Sequence, residues 1–112
     1  MPRILFTAYT EQVRIGDSTL VLRALPAGFI RFRIIPLREK IQAGSITEAE
    51  ILDEMADIVA AGIVDPEPWT VRDVMEGLTA GMIADLYGRL VQLAWYKGNG
   101  EKSEGEASSP KS

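Results

Sequence analysis

The chain has 112 residues, a net charge of −4, and neither histidine nor cysteine. Its length allows one small domain, and its acidic balance disfavours binding to duplex DNA through phosphate contacts. Without histidine and cysteine the chain has no disulfide, no thiolate metal site and none of the usual nucleophile–base pairs of enzymes, so we expect no cofactor, no metal and no catalytic residue.

The two ends of the chain differ from its middle. The N-terminus lacks the apolar run of a signal peptide, and no stretch of about 18 apolar residues would span a membrane. After Lys97 no large apolar side chain occurs, which is typical of a disordered segment. We therefore expect a globular domain over residues 1–97, a disordered polar tail over 98–112, no membrane contact and a cytoplasmic location.

The first part of the chain predicts β structure. The β-rich runs QVRI and TLVLRAL are separated by the turn residues Gly16, Asp17 and Ser18, which indicates a hairpin over about 12–25. An earlier β-rich run at residues 3–7 is able to pair with this hairpin as a third strand. Two strands are not stable in water by themselves, so the following helices are expected to cover the hairpin.

The segment after the hairpin fits two structures. Residues 27–35 place apolar side chains at helical spacing, and part of the same segment alternates apolar and basic residues as a strand does. We favour a helix over about 27–43, because Pro26 suits the first helical position. Pro36 is expected to kink or restart this helix, and Gly44 to end it.

A capping box predicts the next helix. In the sequence TEAE the hydroxyl of Thr47 is placed to accept the amide of Glu50, whose carboxylate returns to the amide of Thr47. The helix is expected over about 48–61 with one apolar face and one acidic face. Carboxylates on an exposed face usually keep a protein soluble, and we favour this role over catalysis or metal binding for the acidic side chains, Glu50, Asp53, Glu54 and Asp57.

The last predicted helix organises the domain. Apolar residues recur at steps of three or four from Val71 to Leu93, which predicts helical structure over about 71–96, as one long helix or two in line. Thr70 is expected to cap it, with Asp73 at the third helical position. The sequence thus predicts an α+β fold that is mainly α, with a small antiparallel sheet packed against three to four helices.

This helical stretch carries more apolar surface than one neighbour would cover. Either it is the central helix of its own small bundle, or it also docks a partner chain, which includes a homo-oligomer. The candidate partner-binding residues are Trp69, Met75, Ile83, Tyr87, Val91 and Trp95.

Opposite the apolar face of this helix lies a narrow stripe of polar residues and glycines. Asp85 and Arg89 are spaced to form an i, i+4 ion pair. Beside that pair lies a strip without large side chains, formed by Gly81, Ala84 and Gly88. Either this strip allows another helix to pack closely against it, or the glycines have no special role.

Charge is distributed unevenly along the chain. The first forty residues hold seven bases and three acids, whereas residues 41–97 hold ten acids and three bases. The bases Arg31, Arg33, Arg38 and Lys40 either contact nucleic acid or an acidic partner, or face the acidic helix within the domain. We favour the second reading and expect no nucleic acid, because no aromatic platform or nucleic-acid motif accompanies the bases.

The order of these features resembles the tail assembly chaperones of long-tailed bacteriophages. The resemblance covers residues 12–96 and is carried by the strand pair VRIGDSTLVLRAL, a helix containing phenylalanine, an acidic helix ending AAGIVDPEPW, and the run VRDVMEGLTAGMIADLYGRL. The N-terminal residues 1–9 and the double proline at positions 66 and 68 have no counterpart in that pattern.

The resemblance implies a function and partners. It implies a non-enzymatic protein of a phage or prophage that acts in the host cytoplasm, binds the tape measure protein and helps to bring tail tube subunits to it. In that family a ribosomal frameshift often appends a longer C-terminal extension, and the polar tail suits the short form. The first alternative function is a structural head–tail connector or tail completion subunit of a phage. The second alternative is a host-type regulatory or adaptor module.

Overall fold

The structure is a computed structural model that describes residues 9–95. Within that range a three-stranded antiparallel sheet packs with four helices, so the predicted α+β, mainly α fold is confirmed. No helix in this range has the length and hydropathy needed to cross a bilayer. The predicted N-terminal run at 3–7 and the predicted polar tail lie outside the described residues.

The sheet consists of the predicted hairpin and one strand that the sequence did not predict. β1 (Thr10–Ile15) and β2 (Ser18–Arg23) are joined by a turn in which Gly16 has a φ of 58°, a conformation that glycine adopts without strain. The third strand, β3 (Ile63–Val64), pairs antiparallel with the other side of β2. β2 is therefore the central strand, and β3 forms one edge.

Residues 27–43 are helical throughout, which decides the ambiguity of this segment in favour of helix. α1 (Ala27–Phe29), a π-helical segment (Ile30–Ile34) and α2 (Ile35–Ala43) follow each other without a break. The N–H of Ile35 donates to the carbonyl of Ile30, five residues earlier. Pro36 follows directly, and because its ring would crowd a regular turn, we attribute the wider π turn to it.

The next helix begins at the predicted capping box. α3 (Glu48–Gly62) starts after Thr47, whose Oγ1 accepts the N–H of Glu50 at 3.1 Å. The N–H of Thr47 donates in return to the Glu50 carboxylate at 3.0 Å. Both orphan amides at this helix end are thus satisfied locally, which is why the start of α3 was predictable.

The helical stretch predicted over 71–96, as one long helix or two, is divided into two helices. α4 (Val71–Gly77) and α5 (Ala80–Ala94) are separated by Leu78 and Thr79, which have extended backbone angles. Gly77 is a poor helix former, and Thr79 starts a new helix by accepting the N–H of Met82 at 3.2 Å. Tyr96, the predicted end, lies outside the described residues.

The core lies between the sheet and the helices, with α5 at its centre. α5 packs against α3, β2 and the π-helical segment. Leu22, Ile58, Leu86 and Leu90 are completely covered at this junction, and within residues 9–95 no polar or charged residue is buried. The hydrophobic effect therefore acts on a continuous apolar interior.

Candidate protein-binding site

The six predicted partner-binding residues occupy three kinds of environment. Trp95 is 66% exposed, whereas Ile83 is only 1% exposed. Ile83 belongs to the core, because α5 has neighbours on more than one side, and a partner cannot reach it in the folded domain. The other four are half-buried and pack against the core, namely Trp69, Met75, Tyr87 and Val91.

Trp69 is the only one of these six that lines a groove beside β3, within the described residues 9–95. This Trp69 groove has a volume of about 520 Å³ and runs along the sheet edge formed by β3. One wall comes from the end of α3, and the other from the loop that leads into α4. Its apolar lining consists of Ala60, Ala61, Ile63, Val64, Pro68, Trp69 and Val71.

Hydrogen bonds hold the walls of the Trp69 groove. The indole N–H of Trp69 donates to Asp65 Oδ2 at 3.2 Å, while Asp65 Oδ1 accepts the N–H of Glu67 at 3.0 Å. On the opposite wall Arg23 Nε donates to the carbonyl of Ala61 at 3.1 Å. The aromatic ring is thus oriented before any ligand arrives, which lowers the entropy lost on binding.

Sequence reasoning identified Trp69 but missed the groove that contains it. The groove exists because β3 brings Val64 beside β2, about 40 residues away along the chain. A two-residue strand has too few positions to show an alternating pattern. The one available signal was the pair of β-branched residues, Ile63 and Val64, placed before a proline-rich loop.

A second surface is the outward face of α5, which no other described element covers. It is formed by exposed residues spaced along one side of the helix, namely Gly81, Ala84, Asp85, Gly88, Arg89, Gln92 and Trp95. Arg89 Nε donates to Asp85 Oδ2 at 3.2 Å, as the spacing predicted. A Cβ placed on Gly88 would meet no atom within 4 Å, so the glycine is not required by packing within this part of the chain.

A third exposed aromatic residue, Phe32, was not among the predicted site residues. Its side chain is 70% exposed, and the Arg31 guanidinium lies 5.3 Å from its ring centroid, within the range of a cation–π contact. Both the helix-like and the strand-like periodicity of this segment group Phe32 with its apolar neighbours, so its exposure was not predicted.

The basic residues of the first helix have mixed roles. Arg33 pairs with Asp57 and lies 3.5 Å from Glu54, which is the intramolecular arrangement that we favoured. The hydrogen bond to Asp57 raises the pKa of Arg33, and burial partly opposes this effect. Arg31 instead lies over Phe32, so charge neutralisation within the domain does not account for all four bases.

Three of the acidic residues of α3 have partners within the domain. Hydrogen bonds from the Thr47 backbone and hydroxyl lower the pKa of Glu50, while Glu54 and Asp57 face Arg33. Over residues 9–95 no cluster of three or more potential metal ligands occurs.

Comparison of the chain with protein-family models, with curated proteins and with solved structures finds no match.

Proposed function

We propose that this chain is a non-enzymatic tail assembly chaperone of a long-tailed bacteriophage or prophage, acting in the host cytoplasm. In this role it binds apolar segments of the tape measure protein and assists the delivery of tail tube subunits. The support is the resemblance of residues 12–96 to that family, together with a surface suited to binding protein segments.

The Trp69 groove is the observation that carries the proposal. Its volume of about 520 Å³ lies in the range of sites that hold a few side chains. Trp69 is fixed by Asp65, and tryptophan is enriched among the residues that dominate binding energy. The groove is therefore built to receive an apolar side chain from a client segment.

Charge around the groove specifies the client further. Asp65 and Glu67 are exposed in the loop that precedes Trp69, and Asp57 on the other wall is already paired with Arg33. Opposite charge near an apolar anchor improves specificity and association rate more than affinity. A client segment that combines large apolar residues with a nearby lysine or arginine fits this rim best.

The test is co-expression of the full chain with the tape measure protein and tail tube protein encoded beside it. We expect the chain to raise the soluble fraction of the tape measure protein and to bind fragments of it in isothermal titration calorimetry. Trp69→Ala should weaken that binding by about 30-fold or more, which corresponds to about 2 kcal/mol. Phe32→Ala is the matched control, because Phe32 is an exposed aromatic residue outside the groove.

Two outcomes would overturn the proposal. One is that the chain neither raises the soluble fraction of the tape measure protein nor binds its fragments. The other is recovery of the chain as a stoichiometric component of purified particles, which would indicate the connector or tail completion subunit instead. If Trp69→Ala only lowers Tm and leaves the affinity of the folded fraction unchanged, the groove is not the client site.

A further inference from the structure

The open edge of the sheet borders the Trp69 groove. β3 pairs with β2 on one side, and no other strand described in residues 9–95 lies on its far side. Ile63, Val64 and Asp65 line the groove, so part of the groove wall is the backbone of an edge strand. Edge strands present N–H and C=O groups that can pair with a further strand.

The pairing of β1 with β2 determines where the backbone groups of β2 point. The N–H of Ala24 donates to the carbonyl of Tyr9 at 2.7 Å, and the next residues inward, Thr10 and Arg23, are opposite each other. Tyr9 and Ala24 are therefore a directly opposed, hydrogen-bonded pair. Because such pairs alternate along antiparallel strands, Leu22 also directs its N–H and C=O towards β1.

The alternation then identifies the outward groups of β3. Val21 directs its N–H and C=O towards β3, where it is opposite Val64. Ile63 is opposite Leu22, so its N–H and C=O point away from β2, towards the open edge. Within residues 9–95 neither the N–H of Ile63 nor that of Asp65, two residues further along, donates a hydrogen bond. Unpaired amides in an apolar groove favour an occupant that supplies carbonyl groups.

We propose that the Trp69 groove binds its client as an extended segment, which pairs with β3 as an additional strand of the sheet. The inference rests on the proposed function only in taking the groove as the client site. Main-chain hydrogen bonds to Ile63 and Asp65 supply part of the affinity, and alternate side chains of the segment supply the selectivity. A helical segment does not bind in this way, because its backbone groups are already paired with each other.

The lining and the charges of the groove specify the bound segment. Successive side chains of a strand point to opposite faces, so alternate residues of the segment meet the apolar lining beside Trp69. Asp65 and Glu67 carry negative charge on the loop before Trp69. Arg23 adds one positive charge on the other wall, where Asp57 is neutralised by its ion pair. The balance is acidic, so large apolar residues that alternate with lysine or arginine fit best.

Backbone methylation of a model peptide tests the pairing. The probe is a short blocked peptide in which phenylalanine alternates with lysine, and isothermal titration calorimetry measures its affinity for the full chain. Amides of successive residues point to opposite edges of a strand, so N-methylation at every odd or at every even position gives a matched pair of peptides. We expect one of them to lose affinity by about 10-fold or more and the other to bind as before, because only one edge of the added strand faces β3.

Amide exchange followed by NMR tests the same pairing on the chain. Saturation with the unmethylated peptide should slow the exchange of the N–H groups of Ile63 and Asp65 by about 10-fold or more, since each gains a hydrogen bond. The N–H of Val64 is the internal control, because it already faces Val21 within the sheet. Its exchange should change much less.

The outcomes separate strand addition from the proposed function. Strand addition is overturned if the peptide does not bind, if both methylated peptides lose affinity equally, or if Ile63 and Asp65 are protected already in the free chain. The last result would mean that the chain's own residues cover the edge. A selective loss with one methylated peptide supports strand addition even where the tape measure protein is not bound, a result that would overturn the proposed function alone.

Discussion

Gly62, the last residue of α3, lies directly against Leu90 of α5. A Cβ added to Gly62 would fall 2.4 Å from Leu90 Cδ2 and 3.1 Å from Leu90 Cγ. Leu90 is completely buried, so it has little room to move. The close approach of the two helices at the centre of the domain therefore depends on a glycine at this position.

We expect Gly62→Ala to lower the free energy of unfolding by about 1–3 kcal/mol, because the added methyl group forces Leu90 and its neighbours to shift. Urea denaturation measures this change. Gly28→Ala is the matched control, since its Cβ would lie an ordinary 3.9 Å from Phe32 and alanine favours helix by up to about 1 kcal/mol.

A double-mutant cycle connects this loss to the contact with Leu90. Leu90→Ala alone should cost about 2–5 kcal/mol by leaving a cavity. In that background Gly62→Ala should cost much less, because its methyl group enters the space that Leu90 vacated. Equal costs of Gly62→Ala in both backgrounds would show that contact with Leu90 is not the cause.

The second prediction concerns the ion pair between the π-helical segment and α3. Arg33 engages both Asp57 and Glu54, and its side chain is 37% exposed. We expect Arg33→Met to cost about 1 kcal/mol or less at low salt, since partly exposed pairs are weak, and the loss to shrink at 1 M salt. The measurement is urea denaturation at two ionic strengths.

The matched control for Arg33 is the more exposed pair of Arg72 and Glu76, four residues apart on α4. Arg72→Met should cost only about 0.3–0.5 kcal/mol, because this pair joins no separate elements. A loss for Arg33→Met that does not depend on salt would mean that attraction between the charges is not its cause.

The features that were predictable from the sequence are those determined by neighbouring residues. The box at Thr47 forms both expected hydrogen bonds, and Thr70 forms the expected cap with Asp73, which also accepts a return bond from the N–H of Thr70. Both were predictable because all the groups involved lie within four residues of each other. The hairpin was predictable for the same reason, since Gly16 supplies the conformation that its turn needs.

The features that were missed depend on distant neighbours. β3 forms only because Ile63 meets Leu22 across the sheet, and a two-residue strand has no pattern of its own. The periodicity of α5 identified its apolar positions, but it did not show which of them lie in the core and which lie at the surface. Ile83 is covered while Trp95 is exposed, a difference that arises from the placement of α3 and the sheet around the helix.

The third prediction is an acid-dependent loss of stability from the two capping boxes. Hydrogen bonds from the threonine backbone and hydroxyl lower the pKa of Glu50 and of Asp73 from their ordinary values of 4.5 and 3.8. Because the folded pKa is below the unfolded one, this stabilisation is present above about pH 4.5 and is lost as pH falls through the folded pKa values.

We therefore expect Glu50→Gln and Asp73→Asn to flatten the dependence of unfolding free energy on pH between about 5 and 2. Thr47→Val keeps the shape of the cap and removes its hydroxyl, so it should flatten the dependence partly. Chemical denaturation across this range is the measurement. Parallel curves for all four proteins would show that the capping carboxylates are not linked to folding.

The last prediction concerns Tyr87, which is half-buried on α5. Burial raises the pKa of its phenol above the ordinary value of 10.0, and the nearby charge of Arg38 partly opposes this effect. The folded state thus favours the neutral phenol, so this contribution to stability is complete below pH 10 and is lost as pH rises through the folded pKa. Tyr87→Phe keeps the ring and removes the titration, so the variant should lose less stability than the wild type between pH 9 and 11. An equal loss of stability in the wild type and in Tyr87→Phe over this range would contradict the role of burial.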